Sequence, residues 1–452
     1  MDPASAEEQA FSGYISEYSS LLAPIRRLPH DILEMIFLQQ PIHMYISLSQ
    51  LQPSLVVNEL NTHLLASVSH HWRSTSLDCP RMWSAFEINA YGGKSTLTRL
   101  RLCIERSREA TLTILLNLST GSTLGMEPTP NMDILNELMK IPKRWGLLSI
   151  AVQSWAQMEL LAPVRGHLHS LRHLQLSFGG GISVQPPAVP LFENTPRLYT
   201  LRLGSPRDLR GLSIPVHQIQ RLSLYSSDVE ACSHTLSMFP NIRDLDISKC
   251  GLNLAAPPVE PHLRTSITRI TLAGTLAGIP QVEANMMGVF RCVTTPNLGQ
   301  LHIVRCAQWD TPSVMPFLTR SAAPLKELVL AYVGIGAEEL LAFLRETPKL
   351  EFLRLTRLPP DSITDSLVDT LTPSSGKLLL VRLKHIEIVG VYSVSTDRLL
   401  RILENRVTSL VFVRLTLRDR QVSTADRARF TALQALPMFL RLEFLNETRE
   451  VD

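Results

Sequence analysis

Apolar residues in the C-terminal two thirds of the chain recur in one arrangement: an apolar residue is followed by two more, at the third and fifth positions after it. Successive copies start about 26 residues apart on average. The copies are Leu147–Ile150–Val152, Leu171–Leu174–Leu176, Leu198–Leu201–Leu203, Ile219–Leu222–Leu224, Ile242–Leu245–Ile247, Ile267–Ile270–Leu272, Leu298–Leu301–Ile303, Leu325–Leu328–Leu330, Leu350–Leu353–Leu355, Leu383–Ile386–Ile388 and Leu410–Val413–Leu415. This regularity indicates an internal repeat.

Each copy predicts a short β-strand, because its last two apolar residues flank one outward residue and therefore face the same side of an extended chain. The spacing lies within the period of leucine-rich repeats. Several connections have helical periodicity; Leu340, Leu341 and Leu344 share a helix face, as do Leu399, Leu400 and Leu403. Proline often precedes the strand, as at Pro196 and Pro348, and separates helix from strand because it disfavours helix at the residue before it.

The pattern therefore predicts an α/β fold, in which an irregular leucine-rich-repeat solenoid has parallel strands on its concave face and helices or loops outside. Uneven spacing of the copies predicts irregular loops at Gly179–Pro190, Leu252–Pro261 and Pro359–Gly376.

A different periodicity precedes the repeats, in the sequence LPHDILEMIF that begins at Leu28. Pro29 suits the first position of a helix, and Asp31 in the first turn complements the positive helix end. Ile32 with Ile36, and Leu33 with Phe37, are spaced four residues apart and make a broad apolar face.

A second short amphipathic helix is predicted around VSHHWR at 68–73, with Val68 and Trp72 four residues apart. It is expected to end near Cys79, where Pro80 breaks it. Trp83, Phe86 and Ile88 then indicate the first strand.

These two segments resemble the F-box, in which an "LPxDIL" helix and a "VSxxWR" helix are joined by a variable connection. The segment from Leu77 to Ile88 and the Ile104–Ser107 sequence IERS are similar to "ALxxPxLWSxI" and "LxRS" in large F-box families of mushroom-forming fungi. The resemblance covers roughly residues 21–116. Ser69 and Met82 stand where the family usually has Cys and Leu, and the connection 39–60 is long and partly apolar.

The resemblance implies a three-helix F-box that binds the S-phase-kinase-associated adaptor of an SCF-type cullin ubiquitin ligase. An amphipathic helix in an apolar groove is a common recognition mode. The residues expected to bind the adaptor are Leu28, Pro29, Ile32, Leu33, Ile36, Phe37, Val68 and Trp72. The alternative is that the same helices form an ordinary cap on the repeat array.

Outward strand positions are the default ligand surface of a solenoid, so they are the candidate site for a protein target. The candidates for target binding are Arg202, Arg221, Asp246, His302, Phe352, Arg354, Glu387 and Phe412. Aromatic and arginine side chains dominate many interfaces, which singles out Phe352 and Phe412 as anchors. Each of these residues also has a simpler interpretation as a solvated strand position without a partner.

Together these features predict a non-catalytic substrate-recognition subunit, which brings a protein target to a separate enzyme. Two alternatives remain: an interaction scaffold whose F-box-like helices do not support ubiquitination, and an enzyme with a cryptic site on the repeats. The expected domains are a tail at 1–20, an F-box at 21–79, repeats at 80–440 and a tail at 441–452.

Composition further limits the class of protein that this chain can be. The 452-residue chain is 45% hydrophobic and 19% charged, as expected of a folded protein, and its net charge of +3 is too small to indicate a nucleic-acid or membrane surface. The six cysteines are scattered without metal-ligand spacing, the N-terminus does not resemble a secretory signal, and no apolar run is long enough for a membrane helix. We therefore expect a cytoplasmic or nuclear protein.

Two motifs resemble parts of a nucleotide-binding site and of a metal site, but each lacks required residues. The sequence GGKST at 92–96 resembles part of a phosphate-binding loop, but the required earlier glycine is Ile88. His167, His169 and His173 lack the Cys or carboxylate partners of a metal site, so no cofactor or metal is expected.

Overall fold

The computed structural model describes residues 28–39, 64–119, 129–178, 190–204, 212–225, 229–248, 263–274, 286–372, 379–390, 392, 394–418, 423–434 and 439–445. The predicted tail at 1–20, most of the connection 39–60, most of the loop at 179–190 and all of the loop at 252–261 lie outside these residues. The chain divides into two compact units: residues 1–197 with 211–213, and residues 198–210 with 214–452.

α-Helices lie between consecutive main strands in the first unit and in most, but not all, of the connections of the second unit that the structure describes. The helices of the first unit are α1 (His30–Leu38), α2 (His70–Asp78), α3 (Lys94–Arg106), α4 (Met132–Met139) and α5 (Trp155–Glu159), with a helical stretch at 64–68. Those of the second unit are α6 (Val229–Met238), α7 (Thr311–Ser321), α8 (Ala337–Glu346), α9 (Asp365–Thr370), α10 (Thr396–Asn405) and α11 (Thr424–Gln434). The helices predicted around Leu340 and Leu400 are confirmed as α8 and α10.

The strands of the first unit pair in parallel and in chain order. They are β1 (Ala85–Asn89), β2 (Leu112–Asn117), β3 (Trp145–Val152) and β4 (His173–Phe178). The main strands of the second unit are also parallel neighbours in order: β5 (Thr200–Gly204), β6 (Arg221–Tyr225), β7 (Asp244–Ser248), β9 (Arg269–Ala273), β11 (Gln300–Cys306), β12 (Glu327–Val333), β13 (Phe352–Thr356), β14 (His385–Val389), β15 (Phe412–Arg418) and β16 (Phe439–Leu445). The short strands β8 (Leu263–Arg264) and β10 (Val293–Thr294) pair separately. The fold is thus the α/β, leucine-rich-repeat-like architecture that the sequence predicts.

The core lies under the strands, on the side that the repeat leucines face. All three apolar positions are buried in every copy from Leu171–Leu174–Leu176 to Leu410–Val413–Leu415. The first copy needs correction: Leu148 and Ile150 pair with Leu174 and Leu176, so the equivalent of Leu171 is the buried Trp145 and not Leu147. A run of consecutive apolar residues in β3 makes both registers possible in the sequence.

Other boundaries also differ from the sequence pattern. Trp83 belongs to a 3-10 helix, Pro80–Trp83, so the first strand begins at Ala85. Helix α9 lies inside the predicted loop at 359–376, because Thr364 caps it and Leu367 is buried. The last strand continues to Leu445, beyond residue 440 where the repeats were expected to end.

Arginine side chains connect successive repeats through backbone carbonyls. Arg406 is 2% exposed, and its guanidinium donates to the carbonyl oxygens of Leu371 and Leu380, each at 2.8 Å, and to that of Leu379. Arg320 likewise donates to carbonyls of the preceding repeat, at 2.7 Å and 2.8 Å. Burial lowers the pKa of both guanidiniums, so their hydrogen bonds form against a desolvation cost.

Candidate functional site

The first candidate surface lies on α1, whose apolar stripe divides into a buried and an exposed half. Leu33 and Phe37 are buried, and the Phe37 ring lies 5.0 Å from the Trp72 ring of α2. These two residues hold the helix pair together and are removed from the surface on which the sequence pattern places them. The stripe is wide enough to serve the core on one side and solvent on the other.

The exposed half consists of Ile32, Met35 and Ile36, which we call the α1 apolar surface. Ile32 and Ile36 are 38% and 39% exposed, and Met35 is 60% exposed. Met35 was not among the predicted adaptor-binding residues, although its position three residues after Ile32 places it on the same face. Leu28 is half-buried, and Pro29 is exposed and precedes the first helical residue as its N-cap.

The second predicted helix is interrupted. Ser69 has extended backbone angles and caps α2, its hydroxyl accepting a hydrogen bond from the Trp72 N–H at 3.2 Å. Val68 therefore belongs to the separate stretch 64–68 and does not share a helix with Trp72, contrary to the prediction. Serine at this position stops a helix from running through, because its side chain replaces the missing intrahelical partner. Val68 and Leu64 are both exposed, whereas Trp72 is half-buried.

Polar contacts fix α1 against α2. The His71 ring donates from Nε2 to the Leu28 carbonyl at 3.1 Å, and Thr75 Oγ1 lies 3.1 Å from His30 Nδ1. The buried Cys79 thiol donates to Glu34 Oε1 at 3.2 Å. Burial, together with this bond, raises the pKa of Cys79 to about 11. The α1 apolar surface is therefore presented by a helix that three polar contacts hold against α2 and the residue after it.

The second candidate surface is the outward face of the strands in the second unit, where all eight predicted target-binding residues are located. Strand register aligns the outward side chains in rows across the sheet. We call the row through Arg221, Asp244, Arg269, Gln300, Glu327, Phe352, His385, Phe412 and Phe439 the first row. The second row contains Arg202, Ser223, Asp246, Thr271, His302, Val329, Arg354, Glu387, Arg414 and Arg441.

The early part of both rows is a polar network. Asp244 pairs with Arg221 at 2.9 Å and with Arg269 at 3.8 Å. His302 Nε2 lies 2.8 Å from Glu327 Oε1. Asp246 accepts a hydrogen bond from the Ser223 hydroxyl at 3.2 Å, and Arg202 is exposed on β5. Opposite charges on adjacent strands are therefore largely matched within the protein itself.

The first row changes character at β13, where it becomes aromatic. The rings of Phe352 and His385 are 5.7 Å apart, those of His385 and Phe412 are 6.1 Å apart, and those of Phe412 and Phe439 are 5.1 Å apart and nearly parallel. We call these four side chains the aromatic row. Phe439, which is 60% exposed, was missed because the preceding apolar position of its repeat is Pro437 and not a leucine.

Glu387 differs from its prediction as a ligand-binding residue. It occupies an outward strand position, yet it is only 4% exposed, because two arginines cover it. Arg354 lies 2.6 Å from one carboxylate oxygen and Arg414 lies 3.9 Å from the other. The Arg354 guanidinium is also 5.4 Å from the centre of the Phe352 ring. Glu387 therefore orients the arginines beside the aromatic row and does not itself face a ligand.

The partial phosphate-binding motif and the histidine cluster occupy positions in a turn, a helix start and the protein surface. Residues 90–91 form a turn and α3 begins at Lys94, while Ile88, in place of the missing glycine, is buried in β1. His167 and His169 are exposed on either side of the buried Leu168. Within the described ranges, no group of three His, Cys, Asp or Glu side chains is arranged to hold a metal ion. None of the helices in those ranges has the length and apolar character needed to cross a bilayer.

No protein-family model matches the chain. No curated protein matches it either. Among solved structures, the chain is similar to a chain from the crystal structure of the Rad7 and Elc1 complex in yeast, with 15% sequence identity and a TM-score of 0.33 over 98% of this chain and 86% of that chain.

Proposed function

We propose that this protein is the substrate-recognition subunit of an SCF-type cullin ubiquitin ligase. Its N-terminal helices bind the S-phase-kinase-associated adaptor, and the outward strand face of its second unit binds a protein target. The protein itself is non-catalytic in this proposal. It holds the target near a separate ubiquitin-transferring enzyme, which raises the effective concentration of the reactants.

The observation that carries the proposal is the α1 apolar surface, because it lies on the residues that resemble the F-box. Ile32, Met35 and Ile36 remain in contact with water while Leu33 and Phe37 already supply the core of the helix pair. Exposed apolar side chains grouped on one helix face are typical of partner-binding surfaces. Covering the exposed parts of these three side chains is worth about 3 kcal/mol in total, at roughly 2 kcal/mol for each fully buried side chain.

The aromatic row supports the second half of the proposal. Aromatic side chains flanked by arginines are enriched among the residues that dominate protein interfaces. Phe352, Phe412 and Phe439 form such a group beside Arg354 and Arg414. The early polar network, in contrast, satisfies most of its charges internally and offers less to a partner.

Adaptor binding is tested by calorimetric titration of the purified full chain with the purified adaptor. We expect Met35→Asp to weaken binding at least tenfold, because it removes apolar contact area and places a charge in the interface. Met132→Asp is the matched control, since Met132 is 44% exposed at the start of α4, outside the proposed interface. Equal affinity of both variants, or no binding by the unaltered protein, would contradict the adaptor-binding function and favour a repeat scaffold.

A further inference from the structure

Three adjacent strands of the second unit end in the same unusual backbone conformation. Arg305, Tyr332 and Arg357 have φ values of 58°, 56° and 49°. They lie side by side, because Val304 pairs with Ala331 and Ala331 pairs with Thr356, the residues immediately before them. Residues other than glycine seldom adopt a positive φ. Its occurrence at one register on three consecutive strands is therefore a specific feature of this edge.

Glycines occupy the same register on the two strands that flank this edge. The Gly274 N–H donates to the Val304 carbonyl at 2.8 Å, and a Cβ atom at Gly274 would lie 1.8 Å from the Arg305 carbonyl oxygen. On the next strand the equivalent position is Gly390, with a φ of 145°. Glycine therefore occupies this register on the two flanking strands, at Gly274 and Gly390, whereas two arginines and a tyrosine occupy it on the three strands between them.

The arginines at this edge are not paired with carboxylates among the described residues, whereas several arginines of the strand face are. Arg305, Tyr332 and Arg357 are all exposed. The Arg357 guanidinium lies 5.6 Å from the centre of the Tyr332 ring. Across the part of the chain that the structure describes, neither Arg305 nor Arg357 forms an ion pair with a carboxylate, whereas Arg354 is paired with Glu387 at 2.6 Å.

We propose that Arg305, Tyr332 and Arg357 form a docking site for an acidic peptide segment of a protein partner. The backbones of the two arginines are separated by two strand spacings, or about 9.6 Å. This separation suits two carboxylates on one peptide better than a single small anion. The adjacent outward residues Val304 and Ala331 are apolar and carry no charge that would repel such a segment. The site deepens the proposed function, on which it rests, by giving the chemical class of target that the receptor selects.

The test is fluorescence anisotropy of the purified full chain with a fluorescein-labelled peptide of alternating Asp and Ser, twelve residues long. A peptide of alternating Asn and Ser is the ligand control. The informative variant is Arg305→Gly/Arg357→Gly, because glycine accepts the positive φ and the edge keeps its conformation. Arg345→Gln/Lys349→Gln is the matched control, since it removes the same charge from exposed positions at the end of α8 and just after it.

We expect the acidic peptide to bind the unaltered protein, the glycine variant to bind it about tenfold more weakly, and the control variant to bind it within twofold of the unaltered protein. Binding that is absent from the unaltered protein, unchanged in the glycine variant, or equally strong with the Asn peptide would overturn the proposal. The adaptor titration is a separate measurement on α1, so loss of peptide binding with adaptor binding intact refutes only the target class. Loss of adaptor binding refutes the receptor function instead.

Discussion

The buried guanidinium of Arg406 offers the sharpest test of how the repeats are held together. Replacing it by methionine keeps most of the apolar stem and removes the donors. Of its three acceptors, the Leu380 carbonyl also accepts from the Leu383 N–H at 3.1 Å, so it keeps one partner. The carbonyls of Leu371 and Leu379 have no other donor among the described residues.

Each carbonyl left unsatisfied costs about 1–1.5 kcal/mol, which gives roughly 2–3 kcal/mol for two. Removing a buried charge also removes its desolvation cost, which offsets part of the loss from the two carbonyls. We therefore expect Arg406→Met to lower the free energy of unfolding by about 2 kcal/mol. For a unit of this size the melting temperature should fall by roughly 5 °C.

The assay is thermal unfolding followed by circular dichroism, with Arg345→Met as the control because Arg345 is exposed on α8. The control should change stability by less than about 0.5 kcal/mol. If Arg406→Met melts at or above the temperature of the unaltered protein, the desolvation cost of the guanidinium equals or exceeds the value of its hydrogen bonds, and the reasoning is refuted.

Two further predictions concern the thiol on the α1–α2 pair and a close backbone approach. Folding raises the pKa of Cys79 from 9.0 to about 11, so the folded state holds this proton more tightly; its contribution to stability is complete below pH 9 and is lost as the pH rises to 11. Urea unfolding midpoints between pH 8 and 11 should fall less steeply in Cys79→Ala, and identical slopes would exclude the thiol as the cause. Gly334→Ala should destabilise by about 2 kcal/mol in the same assay at neutral pH, because its Cβ would lie 1.8 Å from the Ala307 carbonyl oxygen. Gly299→Ala, with 3.7 Å to its nearest neighbour, should not, and equal losses would show that this clash is not the cause.

The repeat strands were predictable because their signal is redundant. Leucine or isoleucine fills most of the inward positions, and a slip by one residue would expose the whole set. The signal fails where it is ambiguous: Leu147 and Leu148 are both apolar, and only the pairing of β3 with β4 selects Leu148. It also fails at Pro437, where the first apolar position of the last repeat is not a leucine.

The candidate sites were predictable only in part, because periodicity gives the face of an element but not what covers it. Phe37 and Ile36 belong to one stripe in the sequence, and only the packing of Phe37 against Trp72 separates the buried side chain from the exposed one. Glu387 occupies an outward position, and its burial depends on arginines from two other strands. The positive φ of Arg305 has no signature in the sequence, since arginine itself does not favour that conformation.

The in-register pairing of the main strands, each with its neighbour in the chain, separates two tasks that many folds combine. Inward residues form the buried core, while the strand register aligns the outward residues in rows. Natural variation can therefore substitute the outward residues of one strand at a time without changing the core. Insertion of a further repeat would add one residue to every row. Related proteins built on this plan should diverge fastest on their rows, and the ligands that bind those rows should change while the fold does not.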